Sequence, residues 1–254
     1  MKKSVLILFM VLLLAPSAVL AVTRSVGQTV IYDFTEVTHS TPIIPAGMSA
    51  ENQAKMKSAQ NTPLIFVLTL TMDKVSADGS AHANSSLVNA ATANASASLR
   101  DPVSDFVATL ESDGEISAQY DPNMQPKTGA GGEYTNMKEV SLNSVGGQVM
   151  THIPYFNTFA KGCALHVHDS AHTKWHEDMT DSLLGQRTFE FSSSDNGTVT
   201  MKSTVKNQYM TQTITASGNF DSTSGLVVSY HEQIENVMAS GPPSSTTRDF
   251  KLRH

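Results

Sequence analysis

Apolar and polar residues alternate with a period of two along much of this chain. In Phe66-Val67-Leu68-Thr69-Leu70-Thr71-Met72, one face carries Phe66, Leu68, Leu70 and Met72 and the other Val67, Thr69 and Thr71. That is the pattern of a strand with one side buried and one wet. The same alternation runs through 29–37, 103–110, 115–120, 187–191, 198–205 and 226–237. In 210–220 it predicts a buried face of Met210, Ile214, Ala216 and Phe220. Between such segments stand Asp78-Gly79, Asp113-Gly114, Asn196-Gly197 and Ser224-Gly225. Glycine in these pairs supplies the positive φ that a tight hairpin needs, so four hairpins are expected.

The turns suggest an internal repeat. Gly79 and Gly197 are separated by nearly the same offset as Gly114 and Gly225, and the second pair is flanked by similar strand-turn-strand segments. The expected fold is mainly β, two related antiparallel β-meanders forming a sandwich or half-barrel, with short helical insertions. The expected layout is a leader at 1–21, a first meander at 22–121, a connector at 122–171 and a second meander at 172–254. A helix capped by Ser49 is expected near 49–59, inside the first meander. In the connector, Pro122, Pro126 and the Gly129-Ala130-Gly131-Gly132 run mark a linker. Met137, Val140, Leu142 and Val145 then give a partial helical stripe, continued by Val149, Ile153 and Phe156 until Pro154 interrupts it. Near the C-terminus, 244–247 reads as a polar loop before a last strand at 249–253.

Composition sharpens this picture. The chain has 254 residues, 40% of them hydrophobic and 16% charged, within the globular range. Met1-Lys2-Lys3, an apolar run over 5–14 and small residues up to Ala21 read as a secretory signal peptide cut after Ala21. The expected destination is the periplasm or the outside medium, with no lipid-bearing cysteine and no membrane span in the mature chain. The formal net charge is −6, and losing Lys2 and Lys3 makes it more negative still. Without a basic run, nucleic acid and anionic membrane surfaces are poor partners. With one cysteine no internal disulfide can close, and Cys163 reads most simply as a small buried side chain.

Candidate chemistry concentrates in the connector. His152, His166, His168, His172 and His176 lie close in sequence, with Cys163 among them and Asp169, Glu177 and Asp178 nearby. His166 and His168 share a face if extended, whereas His168, His172 and His176 share one if helical, and either geometry offers imidazoles to zinc or copper. A metal set of Cys163, His166, His168, His172 and His176 is therefore one expectation. The plainer alternative is a run of surface histidines, because no Cys-x2-Cys or zincin spacing is present. A secreted hydrolase is a further alternative through Thr180-Asp181-Ser182-Leu183, but no Gly-x-Ser-x-Gly elbow exists. Asp105, Glu111, Asp113 and Glu115 read as the solvated side of a hairpin rather than as paired catalytic carboxylates. The aromatic residues Phe156, Phe159, Trp175 and Tyr230 fall near the insert and on the last long strand, where they can line a cleft for an apolar ligand.

Gly218, Phe220, Asp221, Gly225, Val227 and Ser229, with Trp175 upstream, resemble a hairpin found in secreted bacterial β-rich proteins of unknown function. The resemblance is structural; it implies a β-rich fold and transfers no active site. Some similar folds, the half-barrels that ferry lipoproteins across the periplasm, curve a sheet around an apolar ligand. The expected function is an exported, non-enzymatic protein that binds an apolar or cell-envelope ligand, or a protein partner.

Overall fold

The computed structural model describes residues 22–41, 44, 47–59, 63–89, 104–119, 153–166, 174–181 and 185–253. The expected leader, the Gly129–Gly132 linker, the stripe from Met137 to Val149, and His152, His168, His172 and Ser182 lie outside these residues. The strands are β1 (Thr29–Ser40), β2 (Leu64–Val75), β3 (Ala81–Asn89), β4 (Ser104–Leu110), β5 (Ile116–Gln119), β6 (Lys174–Asp181), β7 (Gly185–Ser193), β8 (Thr198–Lys206), β9 (Met210–Asp221), β10 (Leu226–Met238) and β11 (Ser244–Leu252). The helices are α1 (Ala50–Ala59) and α2 (Pro154–His166).

All eleven strands belong to one sheet in the order β5-β4-β3-β2-β1-β11-β10-β9-β8-β7-β6. Every pairing is antiparallel. β1 to β5 form one meander and β6 to β11 the other, and the first and last strands join them. The sheet does not close on itself, since β5 and β6 are its two ends. One face carries the buried apolar side chains, with a few charged groups among them. On β2, Phe66, Leu68, Leu70 and Met72 are all buried, with Leu70 wholly inaccessible, as their alternation requires. On β9, Ile214 and Ala216 are buried while Met210 and Phe220 stay half-buried at the strand ends.

The four expected hairpin glycines have φ values of +86°, +86°, +78° and +65° at Gly79, Gly114, Gly197 and Gly225. Their turns gather at one end of the sheet. Two of them touch: a Cβ on Gly114 would stand 2.7 Å from the Gly225 carbonyl oxygen, and one on Gly225 2.7 Å from that of Ser112. Glycine is needed at both for conformation and for room. Arg24 is driven into the same place. Its Nη1 donates to the carbonyls of Gly79, Leu110 and Glu111 at 2.7–2.9 Å, and its Nη2 to that of Gly225 at 3.2 Å. One guanidinium thereby joins turns from both meanders. Burial lowers the pKa of Arg24, opposed by the nearby carboxylates of Asp113, Glu111 and Asp78.

Two local expectations need correction. Pro154 opens a helix instead of interrupting one. Proline fits the first helical position because its missing N–H has no partner there, and the Asn157 amide already donates to the Ile153 carbonyl at 2.8 Å. In addition, 244–247 pairs with both β1 and β10 and belongs to β11; Thr and Ser between two central strands are held by ladder bonds that hydropathy does not register. The helix near 49–59 is present as α1, with the Asn52 amide donating to Ser49 Oγ at 3.4 Å.

Helix α2 lies on the apolar face of the sheet. Ile153, Phe156, Phe159, Ala160 and Cys163 recur at helical spacing and are all buried. Asn157 ties the helix to the sheet's end: its Nδ2 donates to the Ile116 carbonyl at 2.8 Å, and its Oδ1 accepts from the Ile116 amide at 2.9 Å. On the other side Thr158 Oγ1 donates to Met179 Sδ on β6 at 2.8 Å. The helix therefore bridges the two ends that the strands leave unjoined.

Candidate functional site

The inward face can be read row by row from the strand register. Nearest the turns, Val30 and Leu70 stand opposite each other. Further along comes an aromatic row, in which Phe66, Phe34, Phe250 and Tyr230 align across β2, β1, β11 and β10. Phe156 of α2 settles onto it, with ring centroids 4.7 Å from Phe250, 5.6 Å from Tyr230 and 5.7 Å from Tyr32. Phe159 lies 5.1 Å from Tyr230. Three of the four aromatic residues expected to line a cleft, Phe156, Phe159 and Tyr230, thus form a single cluster. Trp175 stands apart on β6, stacked on Phe191 at 5.3 Å and 8°. All four are buried by the protein's own atoms.

The next row is charged. Glu36, Arg248 and Glu232 align across β1, β11 and β10 and point the same way as Phe34, Phe250 and Tyr230. Arg248 Nε donates to Glu36 Oε2 at 2.7 Å and its Nη1 to Glu232 Oε1 at 2.6 Å. The Tyr230 hydroxyl donates to Glu232 Oε2 at 2.5 Å. Glu232 is completely buried and Arg248 5% exposed. Burial raises the Glu232 carboxyl above the ordinary glutamate value against the pull of Arg248, and it drives the Tyr230 phenol well upward. Two rows further from the turns is a second polar set: Arg187 donates to the Tyr155 hydroxyl at 3.0 Å and to Gln212 Oε1 at 2.7 Å. Gln212 Nε2 in turn donates to Asn236 Oδ1 at 2.9 Å.

Sequence reading missed these inward charges, although a signal existed. Glu36 follows Tyr32 and Phe34 in phase, Glu232 sits between Tyr230 and Ile234, and Arg187 precedes Phe189 and Phe191. A charge in the apolar register of a strand marks a buried ion, because the period of two fixes its direction.

The proposed metal donors are placed differently from one another. Cys163 is fully buried on the inward side of α2, and burial pushes its thiol up, away from the thiolate a metal requires. His166 stacks on Trp175 at 5.0 Å, and its Nε2 stands 3.4 Å from Glu177 Oε1. His176 is exposed on the opposite face of β6 from Trp175 and Glu177. Among the described residues no three His, Cys, Asp or Glu side chains converge as a metal set would. Nor is any helix among them long and apolar enough to cross a membrane.

No protein-family model matches the chain, and no curated protein is similar to it.

Proposed function

We propose that this is an exported protein that binds an apolar ligand of the cell envelope on the inward face of its sheet, without enzymatic chemistry of its own. One observation carries this: the unclosed sheet buries apolar side chains on every strand from β4 to β7 of its order, broken by the Glu36-Arg248-Glu232 row and Arg187, and, among the described residues, a single helix lies on that face. A curved sheet with open ends can admit a chain-like guest where a closed, filled barrel has no room. The residues proposed to meet that guest are Phe156, Phe159 and Tyr230, with Trp175 at the edge; all four are packed against the protein's own atoms, so the guest enters by displacing α2 from the sheet. The buried Glu36-Arg248-Glu232 row supports the reading, since a core kept only for stability gains little from buried ions over apolar groups of similar volume.

Native mass spectrometry of the protein purified from its own host tests this. The expected spectrum shows added mass that organic extraction removes, together with saturable uptake of an apolar fluorophore by the extracted protein. A bare mass and no uptake would overturn it.

A further inference from the structure

The two ends of the open sheet are finished differently. β5 has four residues, and at Ile116 both its amide and its carbonyl are bonded to the Asn157 carboxamide. β6 has eight residues and pairs with β7 in unbroken register from Lys174 to Asp181. Among the described residues no backbone bond reaches its other side. It contains no proline and no bulge, two of the devices that keep a strand from accepting a neighbour.

The side chains of β6 restrict which neighbour it can accept. Lys174, His176 and Asp178 are exposed on its outer face, while Trp175 and Glu177 lie on the inner one. The Thr188 hydroxyl holds Asp178 in place, donating to its Oδ1 at 2.7 Å. Trp175 is 7% exposed and its indole N–H has no hydrogen-bond partner, which leaves a buried donor unsatisfied. Glu177, an inward charge on a terminal strand, repels partners that bring nothing to meet it.

A second copy of the same strand meets these groups in one register. Antiparallel pairing that carries the sheet across a two-fold axis sets inner residues opposite inner ones. With His176 on the axis, Lys174 stands opposite Asp178 of the second copy, twice over by symmetry, and Trp175 stands opposite Glu177, so a carboxylate lies across from each unpaired indole. With Glu177 or Asp178 on the axis, two carboxylates stand directly opposite each other, which destabilises. With Trp175 on it, only 174–176 overlap, and with Met179 on it Lys174 and Trp175 fall beyond the end of the second strand.

From this we infer that the protein forms a two-fold dimer through β6, paired antiparallel to β6 of a second copy with His176 on the axis. The sheet then runs continuously through both copies and ends on the two β5 strands, so assembly closes at two.

Sedimentation equilibrium of the full chain tests this in mildly alkaline buffer, where imidazoles are uncharged, together with hydrogen exchange at low and high protein concentration. The wild type is expected to dimerise as concentration rises, with slower exchange of β6 amides and unchanged exchange in β5. Asp178→Lys sets like charges opposite each other at two places and should raise the dissociation constant about tenfold. Lys174→Asp combined with Asp178→Lys should restore it, and Lys202→Asp, exposed on β8, should leave it unchanged; circular dichroism checks that each variant is folded. A wild type that stays monomeric, β6 exchange that ignores concentration, or a dimer equally tight in Asp178→Lys overturns the inference. Failure of the double variant to recover overturns the register, and capture of a separate extended peptide by β6 without self-association overturns the choice of partner.

Discussion

Strands β2 to β4 and strands β7 to β11 share one inward face yet fill it with different chemistry. The first set presents Phe66, Leu68, Leu70, Met72, Ala81, Ala83, Leu87, Ala108 and Leu110, all buried and none charged. The second set places Arg187, Glu232 and Arg248 among Phe189, Phe191, Tyr230 and Phe250, every one of them buried too. Equal burial thus serves two ends. Aliphatic side chains stabilise by leaving water and need no particular partner. Buried ions hold only where each charge meets an opposite one in good geometry, so they fix which strands lie side by side.

The sharpest break of this contrast is Leu70→Asp. A carboxylate on β2 would face only hydrocarbon, and the loss should exceed about 4 kcal/mol, enough to unfold the protein; thermal melting and secretion yield report it. A folded variant would mean that the aliphatic side contains polar partners. Next comes Arg248→Leu, which adds an aliphatic side chain to the other region but leaves Glu36 and Glu232 buried without their shared guanidinium. It should cost about 3 to 5 kcal/mol in denaturant titration, less when both glutamates are also replaced by glutamine.

A third substitution probes the contact between the two meanders. Gly114→Ala combines a φ of +86° with a 2.7 Å approach to the Gly225 carbonyl, and should cost about 3 kcal/mol. Gly185→Ala has a φ of +82° with open space around it and should cost only about 1 kcal/mol. Equal losses would show that the turns do not press on each other.

The smallest effect is a pH dependence. The Glu232 carboxyl is raised in the folded protein by burial. The folded state therefore holds this proton more tightly than the unfolded chain does. Its contribution is complete below the ordinary glutamate range and is lost as pH rises through the folded value. Glu232→Gln should remove that slope and leave melting at low pH close to wild type. A parallel decline in both proteins would assign the slope to another group.

The sequence made the sheet legible where bulky residues alternate with threonine, as on β2, and where glycine follows aspartate or asparagine at a turn. It was weaker for β3, whose inward positions are Ala81, Ala83 and Ser85, because small side chains give alternation little contrast. On β6, Lys174-Trp175-His176-Glu177-Asp178 has a single strong apolar residue, and the strand is held by pairing with β7 in continuous register. The aromatic cluster could be anticipated from residue type and position. The ion row could not be assembled, since Glu36 and Arg248 are far apart in the chain and meet only once β1 pairs with β11. Pairing of the first strand with the last is a long-range event that no local pattern announces.

The Asn157 side chain has a consequence for the molecule's behaviour among its own kind. A terminal strand with bare amides and carbonyls is a template on which other copies can stack, the first step toward fibres. At Ile116 the carboxamide offers one donor and one acceptor in place of a neighbouring backbone, so that docking slot is already taken. A fold built from one long open ribbon thereby carries its own stopper against endless lateral growth.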